Sequence, residues 1–189
     1  MAGILDGIRI IDFTEGHLGS YGTMILADFG AEIIKVEDIK NGGDIIRRRA
    51  PKNEHGSAYH AYLNRGKKSV CVDRHTPQGQ KIILQMIETA DVVCDCFPAG
   101  ELESCGLGYE EACRVKPDII YASHTGFGKT GPLSNTAGSN LTAEAITGLL
   151  DVTGHMGSIP TAHGSRIANQ FGNIFFAIGI ISALIVRDK

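Results

Sequence analysis
Short apolar runs alternate with segments of helical period along most of this chain. Arg9-Ile-Ile-Asp-Phe13 and Glu32-Ile-Ile-Lys-Val36 are runs rich in branched residues. Between them, Ser20–Phe29 carries Tyr21, Met24, Ile25, Leu26 and Phe29 at helical spacing and stops at Gly30, so strand, helix and strand follow in order. The pattern repeats. Ser69–Val72 reads as a strand. Thr76 and Pro77 supply an N-cap and a first helical position for a helix that turns Ile82, Ile83, Met86 and Ile87 inward. Asp91–Asp95 and Ile119–Ser123 are further strands, with a short helix near Tyr109–Val115 between them. Such alternation predicts an α/β domain with a mainly parallel sheet and helices on both faces.

From Gly126 the pattern loosens. Gly126-Phe-Gly-Lys-Thr-Gly-Pro132 is loop, Asn140–Leu150 reads as a helix packing Leu141, Ala145, Ile146 and Leu149, and Val152–Ser165 is mostly loop. An apolar helix begins near Asn169, a residue type favoured at the N-cap. Its Ile174–Val186 stretch is about 13 residues, short of the roughly 18–20 that cross a bilayer. A helix buried on nearly all sides of a soluble core is therefore expected. Arg187-Asp-Lys189 holds no helix stop signal, so the chain reads as an incomplete portion rather than a sealed domain.

Composition narrows the function classes. The chain has 189 residues, 21 acidic and 18 basic, for a formal net charge of -3. That balance gives no reason to expect nucleic acid or an anionic membrane as partner. Met1–Asp6 lacks the basic-then-apolar order of a signal peptide. With five cysteines, an odd number, this predicts reduced thiols in a cytoplasmic protein. Cys94-Asp-Cys96 is the only close pair. Its spacing is too tight for the usual zinc motif and no second pair exists, so no metal site is expected. Seven histidines show no ligand spacing on any one element.

In a doubly wound sheet, ligands bind beyond the carboxyl ends of the strands. The first such loop, Thr14–Gly22, has glycines at 16, 19 and 22 and leads into a helix N-terminus. Its G-x-x-G-x-x-G spacing departs from the dinucleotide motif, although Glu37 stands where a ribose-binding acid would. A nicotinamide-dependent oxidoreductase is thus an alternative, and turn or packing roles compete with ligand binding for these glycines. Arg47-Arg-Arg49 and Arg65-Gly-Lys-Lys68 are basic clusters that suit either phosphates or simple solvation. No P-loop and no nucleophile elbow are present.

Several phrases together are more specific. They are Leu5-Asp-Gly-Ile-Arg-Ile-Ile-Asp-Phe-Thr14, Leu26-Ala-Asp-Phe-Gly-Ala-Glu-Ile-Ile-Lys-Val-Glu37, Asn64-Arg-Gly-Lys-Lys-Ser69, Gly126-Phe-Gly128 with Gly131-Pro132, and Ala177-Ile-Gly-Ile-Ile-Ser-Ala-Leu184. In this order the chain resembles the N-terminal part of the family III CoA-transferases, a family that includes formyl-CoA, carnitine and bile-acid CoA-transferases. The resemblance implies a Rossmann-like large domain in an interlocked dimer, homomeric or heteromeric. Residues 1–189 would be the N-terminal, large-domain portion, without the second domain and the C-terminal return. It implies acyl-CoA and a small carboxylic acid as substrates, with no permanently bound cofactor. Gly16, His17 and Leu18, the region after Glu37, and the Lys67–Lys68 loop would line the CoA site, the basic groups meeting the phosphates.

The departures matter as much. Family transferases carry an aspartate at the start of the last apolar helix, whose carboxylate attacks the acyl-CoA thioester. That place falls on Asn169 in Ile167-Ala-Asn-Gln-Phe-Gly172, and an amide offers no such nucleophile. Cys96-Phe-Pro-Ala-Gly100 lacks a basic residue that often helps hold CoA, and His17-Leu-Gly-Ser20 replaces the usual x-Ala-Gly-Pro. The place of the racemase branch's histidine is Gly138-Ser139 here, which argues against racemase chemistry. The resemblance therefore implies a CoA-transferase subunit that is itself non-catalytic and pairs with a homologous, Asp-bearing subunit. An engineered Asp-to-Asn change and a CoA-binding structural paralogue are the alternatives.

Overall fold
The computed structural model describes residues 3–40 and 42–189. The reading of Met1 and Ala2 as the start of a chain without an export signal lies outside them. The first half runs β1 (Arg9–Asp12), α1 (Ser20–Asp28), β2 (Glu32–Glu37), a 3-10 turn (Ile45–Arg48), a hairpin of β3 (Lys52–Asn53) and β4 (Gly56–Ser57), α2 (Ala58–Leu63) and β5 (Lys68–Cys71). The second half runs α3 (Pro77–Ile87), β6 (Val92–Asp95), α4 (Glu101–Ser104), α5 (Tyr109–Val115), β7 (Ile120–Ser123), α6 (Asn140–Ile146) and α7 (Ile167–Arg187).

Five strands form one sheet in the order β5-β2-β1-β6-β7, every pairing parallel. Winding runs outward from β1 in one direction and then from β6 in the other. The carboxyl ends of β1 and β6 therefore flank a topological switch point, where such sheets bind ligands. The α/β reading, with a Rossmann-like parallel sheet and helices on both faces, is what the structure shows.

Strand alternation sorts the core into two layers. Ile11, Val36 and Val93 face Ile83 and Ile87 of α3, Leu102 of α4, Leu107, and Ala112 of α5. Ile10, Ile33, Val92 and Cys94 face Leu26 of α1 and Ala177, Ile180 and Leu184 of α7. Thr76 caps α3 as its sequence position predicts, its hydroxyl accepting from Gly79 N at 3.1 Å. Within α3, Ile83 and Ile87 are buried, whereas Ile82 is exposed.

Three expectations change. First, α7 is not buried on nearly all sides. It buries the stripe Asn173, Ala177, Ile180 and Leu184 and leaves Phe171, Phe175 (67% exposed) and Ile178 (50% exposed) open. At 21 residues it is also long and apolar enough, by length and composition alone, to cross a bilayer. Its buried stripe packs on the sheet and on α1. The uniform hydrophobicity of the sequence could not show which stripe the sheet covers. Second, α7 begins at Ile167 with Arg166 at the N-cap, so Asn169 sits inside the first turn and caps nothing. Third, α6 ends at Ile146 and turns Leu141 and Ile146 outward, burying Glu144 instead. Asn140 Nδ2 donates to Glu144 Oε1 at 2.6 Å, and His163 N donates to Oε2 at 3.3 Å. Those hydrogen bonds are what a buried carboxylate requires.

The contact between α1 and α7 depends on Gly22. A Cβ there would lie 2.8 Å from Asn173 O, and Gly22 N donates to Asn173 Oδ1 at 3.1 Å. Gly22→Val is expected to destabilise the fold by roughly 1–3 kcal/mol through overpacking, and Thr76→Ala by about 1 kcal/mol through loss of the cap. Urea unfolding of each variant measures both. A Gly22→Val protein as stable as the parent would show that the two helices part without cost.

Candidate active site
Loops at the carboxyl ends of β1 and β2 are tied down by buried charge. Asp12, fully buried at the end of β1, accepts from Thr14 N at 2.9 Å and Thr14 Oγ1 at 2.6 Å through Oδ1. Through Oδ2 it accepts from Thr23 Oγ1 at 2.8 Å and Lys67 Nζ at 3.1 Å. Burial would raise the Asp12 carboxyl, but the Lys67 and Lys35 ammonium groups and the Thr14 bonds hold it below its ordinary value. Lys35 pairs with buried Asp44 at 3.0 Å and also donates to Thr14 O. Asp44 Oδ1 in turn accepts from Gly16 N at 2.9 Å and Ile46 N at 3.0 Å. Gly16 takes φ 65°, a left-handed conformation that favours glycine. Gly19, at φ 79°, has no room for a Cβ, which would meet Thr14 Cγ2 at 2.3 Å.

These ties shape one wall of a cavity of about 380 Å³. Glu15, Gly16, His17 and Leu18 line it from the β1 loop, and His124, Thr125, Gly126 and Phe127 line it from the segment after β7. Gly138, Ser139 and Asn140 line it from the entry to α6, and Arg166, Ala168 and Asn169 from the first turn of α7. Gly126 and Gly138 touch backbone to backbone, a Cβ on either lying 2.5 Å from the other's Cα. Gly172 leaves room for the His124 ring, which stacks on Phe176 at 5.2 Å.

Three buried polar atoms facing this region have no partner among the described residues: His17 Nε2, His124 Nδ1 and Thr125 Oγ1. His17 is pulled down to about 4 by burial and by the Arg166 and Arg49 charges, and burial lowers His124 as well. Both rings are neutral at pH 7 and available as hydrogen-bonding groups. Asn169 N donates to Asn140 Oδ1 at 3.1 Å, and Asn169 O accepts from Asn173 Nδ2 at 2.6 Å. No protein partner engages the Asn169 carboxamide among the described residues, and it borders the cavity at the positive end of a 21-residue helix. The cavity can therefore hold an anion or a polarised carbonyl at residue 169.

The site residues expected from sequence divide into two groups. Gly16, His17, Leu18 and Asn169 meet at the cavity. Glu37, Lys67 and Lys68 do not. Glu37 accepts from Arg47 Nε at 2.7 Å, Ser69 Oγ at 2.6 Å and Asp44 N at 2.8 Å. With its carboxylate so engaged, it is not the free ribose acceptor that a nicotinamide enzyme needs. Lys67, 1% exposed, spends its ammonium on Asp12, Thr23, Ser20 O and Asn64, which leaves no donor for a phosphate. Lys68 pairs with Glu32 on the solvent side of the sheet.

Arg166, His124, Thr125 and Asn140 were not singled out from sequence. Only the Arg47–Arg49 run hinted at the charge gathered here. Cys96 carries no nucleophile: burial pushes its thiol up to about 12. No group of His, Cys, Asp and Glu that could hold a metal ion occurs among the described residues.

The sequence matches the model of CoA-transferase family III over residues 5–189. The chain belongs to that family. It is 37% identical over 185 residues to succinyl-CoA:glutarate CoA-transferase of Homo sapiens, covering 98% of this chain and 42% of the relative. It is 36% identical to acetyl-CoA:oxalate CoA-transferase of Acetobacter aceti, covering 99% of this chain and 48% of that one. A crystal structure of a CAIB/BAIF family protein from Brucella suis superposes with a TM-score of 0.93 at 34% identity, covering 100% of this chain and 50% of that one. The chain thus spans about half the length of these family III relatives.

Two outcomes test the electrostatics of this site. Asp12→Ala strands the Lys67 and Lys35 charges in the interior and is expected to cost about 3–5 kcal/mol in urea unfolding. A loss under 1 kcal/mol would mean that the ammonium groups find other partners. Burial raises Glu37, but Arg47, Ser69 and Asp44 N bring it down to about 2 from an ordinary 4.5. Because the folded value lies below the unfolded one, its stabilisation is present above about pH 4.5 and is lost as pH falls toward 2. Glu37→Gln is expected to flatten the stability–pH curve in that window, with the urea midpoint followed at each pH.

Proposed function
We propose that this chain is the N-terminal, large-domain portion of a cytoplasmic CoA-transferase subunit that moves CoA from an acyl-CoA to a carboxylic acid. The observation that carries this reading is the Asn169 carboxamide, bordering the cavity beside Arg166 and His17 at the head of α7. Relatives are named for pairing succinyl-CoA or acetyl-CoA with glutarate or oxalate, which favours short acyl donors and small acids. By family resemblance, residue 169 is where a carboxylate attacks the thioester carbonyl. A carbon–oxygen bond forms, the carbon–sulfur bond breaks and CoA leaves as the thiolate. An amide oxygen carries no charge to begin that step. The chain therefore binds substrates and works in a dimer with a homologous subunit that supplies the aspartate.

The test is intact-mass spectrometry of the full-length protein after incubation with succinyl-CoA. The native protein is expected to carry no acyl adduct, whereas Asn169→Asp is expected to gain one and release CoA. An adduct on native residue 169 overturns the non-catalytic reading. Co-purification of a homologous Asp-bearing subunit supports the heteromeric assembly. Failure to bind free CoA by calorimetry removes the CoA-transferase reading altogether.

A further inference from the structure
The chain has nine arginines. Six of them, Arg9, Arg47, Arg65, Arg74, Arg114 and Arg187, pair with carboxylates. Among the described residues, only Arg48, Arg49 and Arg166 have no acidic partner, and all three line one recess together with Gly16, His17, Ile45 and Ile46. That recess shares Gly16, His17, Ile45 and Arg166 with the cavity that contains Asn169. Arg48 and Arg49 come from the end of the 3-10 turn, and Arg166 comes from the N-cap of α7. Two separate elements thus bring unpaired guanidinium groups to the same opening.

Among the described residues, no carboxylate lines the recess. Asp44, behind the recess, is consumed by Lys35, Gly16 N and Ile46 N, and Glu15 lines the adjoining cavity but not the recess. The opening is therefore net positive and carries planar donors matched to carboxylate geometry. Three guanidinium groups gathered without counter-charge repel one another, so an anion that arrives relieves them. His17 records their proximity, since the Arg166 and Arg49 charges help depress it.

The location decides which anion. The pyrophosphate of an acyl-CoA lies a whole pantetheine arm from its thioester carbon. Arg166 shares the cavity with Asn169, and the recess of Arg48 and Arg49 opens onto that cavity through Gly16, His17, Ile45 and Arg166, so with the thioester at residue 169 this recess is a poor place for those phosphates. An anion within a small acid's length of the reacting carbonyl is the acid's own second carboxylate. We propose that Arg48, Arg49 and Arg166 form the subsite for the distal carboxylate of a dicarboxylic acid, and so select diacids over monoacids. This rests on the reading of the Asn169 cavity as a CoA-transfer site.

The experiment is calorimetric titration of the full-length protein, in its native assembly, with succinate and separately with butyrate, which has the same chain length and one carboxylate fewer. Succinate is expected to bind about tenfold or more tightly than butyrate. Arg166→Gln and the double change Arg48→Gln/Arg49→Gln are each expected to erase most of that ratio, lowering succinate affinity more than butyrate affinity. Arg166→Lys is expected to recover part of it. Arg48 and Arg49 are exposed and Arg166 is half-buried, and circular dichroism checks that each variant folds. Equal affinity for the two acids, binding of neither, or an unchanged ratio in the variants overturns the subsite. Loss of CoA affinity in the variants with intact diacid selectivity overturns it in favour of a phosphate site. Preserved diacid selectivity in a protein that binds no CoA and transfers none overturns the CoA-transfer reading alone.

Discussion
The buried pairing of Asp12 with Lys67, and of Lys35 with Asp44, is the constraint on which the rest of this structure depends. Two carboxylates and two ammonium groups, none more than 1% exposed, join the end of β1, β2 and the segment after it, and the turn before β5. Charges so placed are tolerated only when each one's remaining hydrogen-bonding capacity is met. Thr14, Gly16 and Asn64 from connections and Ser20 and Thr23 from the start of α1 meet it. Satisfying the network therefore fixes the loop after β1, the segment after β2 and the turn before β5 in a single arrangement.

From that arrangement the cavity follows. Gly16 N is held by Asp44, so the chain passes residue 16 with positive φ and brings His17 to the cavity wall. Asn173, buried in α7, then clasps His17 O at 2.9 Å and Gly22 N at 3.1 Å. This anchors the first turn of α7 against the same loop, and Asn140 secures that turn from α6. The wall, the helix end and the Arg48–Arg49 corner are thus positioned by hydrogen bonds to main-chain atoms. Preorganisation of this kind is what a site for charged substrates needs.

Much of this was legible in the sequence, and the boundary between what was and was not has a physical cause. Strands such as Arg9–Asp12 and Val92–Asp95 announce themselves because a strand buried on both faces must be a short, continuous apolar run. α3 announces itself through Thr76 and Pro77. The hairpin and α2 between Lys52 and Leu63 stayed hidden because their stability comes from packing on a segment of no clear period. Lys67 was expected at the ligand and lies in the core instead. A lysine in a glycine-bearing loop looks the same from sequence whether its partner is a phosphate or an aspartate 55 residues away. Arg166 went unnoticed because one arginine in a glycine-rich stretch acquires meaning only when the fold brings Arg48 and Arg49 beside it.

The charge balance around residue 169 bears on why an amide can stand there. The N-terminus of α7, Arg166 and the recess arginines all favour negative charge. An aspartate at 169 would occupy part of that field itself, and an incoming acid would have to share it. Asparagine keeps the side chain's size and its carbonyl but withdraws the charge, so the whole field acts on the ligand. Among the described residues, the one acid lining the cavity is Glu15, whose carboxyl is raised by burial and by neighbouring Asp44, which blunts its opposition. With an amide at 169, the field of the helix end and Arg166 is not offset by a side-chain charge at that position.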